Sequence, residues 1–360
     1  MTYPVLEADL NKLRENLAAL QKRCRDSQIG IAGVVKGASA HPEIVRVFAE
    51  GNVKYIASSR MDQIRMIEEA APDTPRMLLR VAMLTELADV VRHADCSLQS
   101  DVTVIRALNE EAERQGKTHE VILMIDLGDL REGFWDPEEL IACAVMIENE
   151  LPHLRLMGVG VNLSCYGSIM PEVRNMQGLV SLAADVEKAI GRQLAYISGG
   201  GSTSAYMVWN GQMPFRMNFL RLGELILVGQ TAGFAPGDDE THKDVFTLKA
   251  EVIECREKPS MPVGKRTVDA FGKVREYEDR GIRKRALVAI GRVDYCDPGD
   301  LFPRMKGIEV LGASSDHTIL DVSDAEKEIR VGDILEFDVN YASLVYLTST
   351  DGVTMTFVNN

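Results

Sequence analysis

The sequence predicts a closed parallel (β/α)8 TIM barrel with a C-terminal all-β domain. Three observations carry this. From Ile29 onward, eight short apolar runs recur, each separated from the next by a mostly helical segment. The runs are near-continuously apolar, as expected of parallel strands buried on both faces. After about residue 235 the texture changes to short alternating segments broken by Pro and Gly turns, the pattern of an antiparallel β-domain. An open doubly wound sheet is the alternative, but no G-x-G-x-x-G follows the first strand.

The elements follow in order. TYPVLEADL reads as a short strand. Asp9 stands before LNKLRENLAALQKRC, whose Leu10, Leu13, Leu17 and Leu20 have helical spacing, so Asp9 is a candidate N-cap. IGIAGVVKG is the first barrel strand. HPEIVRVFAEG is a helix closed by Gly51, and VKYIASSR a strand. MDQIRMIEEAA and RMLLRVA, then TELADVVRHA and DCSLQS, repeat the helix–strand unit. VTVIRALNEEAERQGK is a helix and HEVILMIDLG a strand. DPEELIACAVMIENEL is a helix with Asp136 as candidate cap and Pro137 at its first position. LRLMGVGVNLS, the helix VRNMQGLVSLAADVEKAIGR, the strand AYISGGGS and the final run FLRLGELILVG complete the barrel. FAPGDDETH (234–242) is polar and turn-rich, a linker. Beyond it VFTLKAEVIECRE, KRALVAIGRV, IEVLGAS, HTILDV, DILEFDVNY and VTMTFV are strands. The expected organisation is a barrel over 10–235 and a β-domain from 1–9 and 236–360.

Composition narrows the function. With 360 residues, 46% of them hydrophobic, two cores can be built. A formal net charge of −14 disfavours general nucleic-acid binding. The basic cluster Arg280 to Arg285 is short and reads as a solvated or interface segment. The six cysteines are scattered without a C-x-x-C pair, so neither a disulfide framework nor a zinc knuckle is indicated. No metal motif of the H-E-x-x-H or EF-hand type occurs. Met1 is followed by no basic n-region, and no run approaches a membrane span. The expectation is a cytoplasmic protein with reduced thiols and no membrane or nucleic-acid partner.

Chemistry gathers where a barrel places it, at the C-terminal ends of strands. Lys36 ends the first. It is either a strand-end cation snorkelling to water or a Schiff-base lysine holding an aldehyde cofactor. Asp126, Gly128 and Arg131 follow the fifth strand; Asn162, Ser164 and Cys165 end the sixth. SGGGSTS (198–204) ends the seventh and enters a helical segment, which suits a phosphate because glycines let backbone N–H groups approach closely. A flexible turn is the bland alternative. Arg221 lies in the eighth, where a guanidinium beside a pyridine nitrogen would keep that nitrogen unprotonated. A lysine, a phosphate cup and a buried arginine together describe a pyridoxal 5'-phosphate site.

YPVLEADLNKLRENL, GVVKG, LMIDLGDLREG, NLSCYG, ISGGGSTS, LRLGE, EDRGIRKRALVAIGRVD, LGASSDHTILDV and VGDILEF span nearly the whole chain. With these segments the sequence resembles the alanine-racemase-like (fold type III) pyridoxal-phosphate enzymes, and within them the ornithine racemase branch. The resemblance implies a racemase interconverting L- and D-ornithine, or a related basic amino acid, by two-base α-proton exchange. It implies a homodimer with shared active sites. Lys36 would hold the cofactor and act as the base on one face. Ser202, Gly201, Gly223 and Glu224 would hold its phosphate, with Tyr341 or Tyr346 as a phosphate-side phenol. Arg221 would face the pyridine nitrogen, and Arg131 the phenolic oxygen or the substrate carboxylate. Asn162 stands where alanine racemases place a histidine. Met124 stands where some carry a modified lysine. Their opposite-face tyrosine, from a G-Y-A-D-G motif, is replaced by Arg292 in GRVDY, so the second base is open. His317 is favoured over Tyr295, because a histidine suits proton transfer near neutrality. Asp316 with Ser315, and Asp294 or Asp297, are candidates for a cationic substrate tail. The rival readings are a basic amino-acid decarboxylase, a non-catalytic cofactor carrier, and a barrel enzyme without the cofactor.

Overall fold

A computed structural model describes residues 2–231, 240–274 and 276–359. The chain divides into two compact units, Leu13–His242 and the pair Met1–Lys12 with Lys243–Asn360. The expected boundary at 235, and residues 234–239 of the expected linker, lie outside the described residues.

The first strand, β1 (Val5–Asp9), belongs to the second of these units. It lies antiparallel to β10 (Phe246–Pro259) and parallel to β16 (Thr354–Val358). Asp9 then caps α1 (Leu10–Asp26) as its sequence predicts, accepting from the N–H groups of Asn11 and Lys12 at 3.0 and 3.3 Å.

The barrel is built from β2 (Gly30–Val34), β3 (Tyr55–Ser58), β4 (Arg76–Leu78), β5 (Cys96–Gln99), β6 (His119–Ile125), β7 (Leu154–Val161), β8 (Tyr196–Ser198) and β9 (Phe219–Leu222). All pair in parallel, and β9 closes the ring on β2 with Ala32 opposite Arg221. These are the eight runs read from the sequence. Between them lie α2 (Pro42–Glu50), α3 (Met61–Ala70), α4 (Leu87–His93), α5 (Val102–Arg114), α6 (Pro137–Glu150), α7 (Val173–Ile190) and α8 (Ala205–Trp209). Asp136 caps α6 through the Glu138 N–H, with Pro137 at the first position. The final run is only partly a strand. After Leu222 it becomes α9 (Glu224–Val228), because a short run buried on all sides has no period to separate strand from helix.

Alternation decides what fills the barrel. Ala32, Val34, Ala57, Leu98, Ile122 and Phe219 belong to one buried cluster, with Tyr55 and Tyr196 packed on Phe219. Counting on by two from Phe219 reaches Arg221, so the strand period puts that cation on the inward phase of β9, while Lys36 stands just past the end of β2.

Outside the ring, His119 is buried and hydrogen-bonded to Ser97 Oγ at 2.8 Å. Burial lowers its pKa from the ordinary 6.5 to about 4. In that interval the unfolded chain binds a proton that the folded one refuses. The contribution is therefore fully present above pH 6.5 and is lost as pH falls toward 4. About 3 kcal/mol of stability should disappear across that window at 1.4 kcal/mol per unit. Urea unfolding at pH 6.5 and 4.5 checks this, and His119→Gln should flatten the dependence.

The other unit is an eight-stranded sheet. Along it run β12 (Leu301–Pro303), β15 (Ile334–Val339), β10, β11 (Ile282–Val288), β14 (Thr318–Asp321) and β13 (Glu309–Ala313), with β1 branching from β10 and β16 pairing with β1. Two short helices interrupt it, α10 (Arg292–Tyr295) and α11 (Tyr341–Leu347). Both fall where the sequence reads as the tail of a strand. The Asn340 side chain accepts from Ser343 N–H at 2.9 Å and starts α11. Among the described residues no helix is long and apolar enough to cross a membrane.

Candidate active site

Lys36 opens a single 3-10 turn, Lys36–Ala38, directly after β2. Its side chain is reached by solvent, yet protein walls crowd the amine and desolvation is the main cause of a lowered pKa. Arg131 and Arg221 push it in the same direction, while Cys165 and Glu132 oppose. The loops after β6 and β7 and strand β9 thus converge on one amine.

Arg221 is 6% exposed and fixed by two bonds. It donates to Ser198 Oγ at 2.5 Å and to the Val161 carbonyl at 2.9 Å, tying together the ends of three strands. Burial pushes its pKa down to about 10. Arg221 forms no ion pair among the described residues, so its guanidinium leaves positive charge at the mouth.

Arg131 is carried by a loop that folds back onto β6. Asp126 Oδ1 accepts from the N–H groups of Gly128 and Leu130 at 2.8 and 3.1 Å, and Gly133 sits against the Asp126 backbone where a Cβ would lie 2.3 Å from its nitrogen. Arg131 grips Glu132 through both oxygens, one contact at 2.6 Å. This pairing, with a hydrogen bond to Cys165, raises its pKa against the cost of burial. Asn162 follows β7, and its Nδ2 is buried with no partner.

The glycine-rich turn has a built shape. Gly200 is left-handed at φ +104°, and a Cβ there would meet Ser204 Oγ at 2.7 Å. Ser202 Oγ accepts from the N–H groups of Gly223 and Leu225, each at 3.2 Å, joining the turn to the start of α9. Gly223 lies so near β2 that a Cβ would be 2.9 Å from that of Val34. Gly201, Ser202, Gly223 and Glu224 are therefore neighbours, as the sequence predicts. Ser204 Oγ is buried without a partner. Strain collects in these loops too: Ser39, Ala40, Leu130, Ser164 and Ser168 all have positive φ after barrel strands.

The remaining candidates lie in the other unit. Ser315, Asp316 and His317 form the exposed turn between β13 and β14, closed by Ser314 N–H to His317 O at 2.9 Å. The turn rests on the start of α10: Arg292 N–H donates to Ser314 O at 2.9 Å and Val293 N–H to Ser315 O at 3.1 Å. Gly291 makes that approach feasible, because a Cβ would stand 2.0 Å from Ser315 O. Gly291→Ala should therefore cost about 2 kcal/mol by overpacking, read as a lower urea midpoint. Arg292 lies over the Phe271 ring at 4.0 Å. Tyr346 is 48% exposed, and a hydrogen bond to Cys296 raises its pKa. Tyr341 begins α11, one turn before Tyr346.

Two candidates are corrected. Tyr295 is fully buried, its hydroxyl bonded to Thr318 Oγ1 at 2.5 Å, and burial pushes its pKa up to about 12. It is a core residue and presents no base to a ligand. Asp294 is 8% exposed and spends both oxygens inside the unit, accepting from Gly291 N–H at 3.1 Å and Thr350 Oγ1 at 3.2 Å. It braces α10 and leaves no open face for a cationic tail. Conversely, Glu132 and Cys165 stand beside Lys36 although neither is assigned a role above. Adjacency to Arg131 and the end of β7 were their only signals.

The barrel mouth thus gathers a crowded amine, a buried guanidinium, a glycine-rich turn and a buried amide nitrogen without a partner. The chain belongs to the alanine racemase N-terminal domain family, which it matches over residues 8–231. It is 40% identical over 346 residues to ornithine racemase of Acetoanaerobium sticklandii, covering 95% of this chain and 96% of that one. To lysine racemase of Thermotoga maritima it is 35% identical over 348 residues, 96% of each. The fold is shared with alanine racemase from Bartonella henselae, solved with covalently bound pyridoxal phosphate. The TM-score is 0.73 at 13% identity, covering 99% of this chain and 100% of that one. The family implies pyridoxal phosphate, and the residues present fit it: the Gly200–Ser204 turn, joined to the start of α9, has the shape for a phosphate, and the buried Asn162 Nδ2 lacks an acceptor.

Proposed function

We propose that this protein is a pyridoxal-phosphate-dependent racemase of ornithine or a related basic amino acid. The observation that carries the reading is the place of Lys36, directly after β2 at the barrel mouth, where Arg221 is tied to the ends of β7 and β8 and the loops bearing Arg131 and Cys165 begin. Crowding by protein lowers the pKa of its amine, which favours the neutral form that serves both as nucleophile toward an aldehyde and as base for an α-proton. When bound, the cofactor withdraws electrons from Cα and acidifies its proton.

The chain's own residues do the rest. Lys36 holds the cofactor and exchanges the α-proton on one face. Ser202, with the backbone of Gly201, Gly223 and Glu224, holds the phosphate, with Tyr346 or Tyr341 as the phenol beside it. Arg221, permanently charged and fixed by Ser198 and Val161, disfavours a proton on the pyridine nitrogen. Arg131 meets the phenolic oxygen or the substrate carboxylate, and Asn162 supplies a donor near the ring. On the opposite face His317 exchanges the proton, and Asp316 with Ser315 attracts the side-chain ammonium. Both come from the exposed turn of a second copy, in a homodimer with shared sites. The basic side chain is supported by the two racemase relatives.

Purified protein supplied with pyridoxal phosphate should convert L-ornithine, and more slowly L-alanine, to the D-form without gas release. Carbon dioxide without a D-isomer would replace the racemase with a decarboxylase. His317→Ala should slow proton exchange from one enantiomer more than from the other.

A further inference from the structure

Asp129 has no part in the reaction described so far, yet it is among the most committed side chains in the barrel unit. It is 1% exposed. Its carboxylate accepts from the backbone N–H groups of Ser164, Cys165 and Tyr166 at 2.9, 3.2 and 3.0 Å, and from Ile169 at 3.4 Å. The loop after β7 is thus wrapped around one carboxylate from the loop after β6. Gly167 completes the wrap, since a Cβ there would fall 2.6 Å from the Asp129 carbonyl oxygen. The loop is strained to achieve this, with Ser164 at φ +66° and Ser168 at φ +55°, and Ser164 Oγ closes it on the Ile169 carbonyl at 2.7 Å.

This clamp has a target. Cys165, whose N–H it holds, lies just beyond β7 at the mouth where Lys36 follows β2, and its thiol acts on the titration of both Arg131 and Lys36. Arg131 follows Asp129 by two residues. We propose that Asp129 is a positioning residue for the Lys36 amine, locking the loops after β6 and β7 into one wall that crowds it. The groups that act on that amine are the Cys165 thiol, Arg131, Arg221 and Glu132. Three of them ride on the clamped loops, Arg131 and Glu132 after β6 and Cys165 after β7. Releasing the loop opens the wall to water. Desolvation, the largest cause of the lowered pKa, then fades, and the amine becomes more basic.

The inference rests on the functional reading above only for its significance, and its test is independent of racemisation. In the protein without cofactor, the pH dependence of reductive methylation at Lys36 is followed by site-resolved mass spectrometry. The wild-type midpoint should lie below that of surface lysines. Asp129→Asn keeps the volume and loses the charge. It should raise the midpoint by roughly one pH unit. Gly167→Ala leaves the carboxylate intact but forces the loop off it, and should move the midpoint the same way, which keeps the test decisive if Asp129→Asn folds poorly. Folded variants that keep the wild-type midpoint would overturn the assignment. A shifted midpoint in a protein that racemises nothing would sink the racemase reading and leave the clamp standing.

Discussion

Replacing Lys36 with alanine is expected to lower racemisation of L-ornithine by at least about 10³-fold, because one side chain serves as nucleophile and as base. The loss should fall on kcat, since the groups assigned to phosphate and carboxylate remain. Lys36→Arg should do no better. A guanidinium stays protonated and cannot take up an aldehyde. Stability gives the contrasting readout. Lys36 has a lowered pKa and the like charges of Arg131 and Arg221 nearby. Its removal relieves repulsion and breaks no ion pair among the described residues. The urea midpoint of Lys36→Ala should therefore equal or exceed that of the wild type. A variant that loses activity and stability together would mark Lys36 as a structural cation.

Arg221→Ala should show the reverse balance. The guanidinium is buried, and its two bonds join Ser198 and Val161, the last residues of β8 and β7, to β9. Truncation leaves the Val161 carbonyl without this donor and opens a void between strands. The expected cost is about 2–4 kcal/mol, from lost bonds to a charged group plus the cavity. Arg221→Met, which fills part of the void, should recover some of that stability and none of the electrostatic effect on a ring nitrogen. Urea unfolding measures the first. The absorption spectrum of the protein with pyridoxal phosphate, compared between the two variants and wild type, measures the second.

The framework of the candidate site was legible because apolar strand runs are: Lys36 follows the run ending in Val34, Arg221 lies two residues beyond Phe219 in β9, and the glycine turn shows in composition. What escaped was whatever depends on distant backbone. Asp129 finds its partners 35 to 40 residues away, as amide groups that every residue possesses. Asp294 and Tyr295 looked like site residues because they adjoin Arg292. The one-turn helix from Arg292 to Tyr295 directs them inward to Thr350 and Thr318 instead. Its neighbour Cys296 departs at φ +74°, a conformation no sequence pattern announces. The tail of the last barrel run is a helix turn where the sequence reads as strand, for a simpler reason. Leu225, Ile226, Leu227 and Val228 are all buried, so nothing in their polarity distinguishes a helix turn from a strand.

If Lys36 takes the cofactor, as proposed, reduction will fix it there. The protein is incubated with pyridoxal phosphate, reduced with borohydride and digested, and the peptides are weighed. The added phosphopyridoxyl mass should appear on the peptide containing Lys36 and vanish in Lys36→Ala. The same mass on another lysine, with Lys36 unmodified at saturating cofactor, would contradict the account.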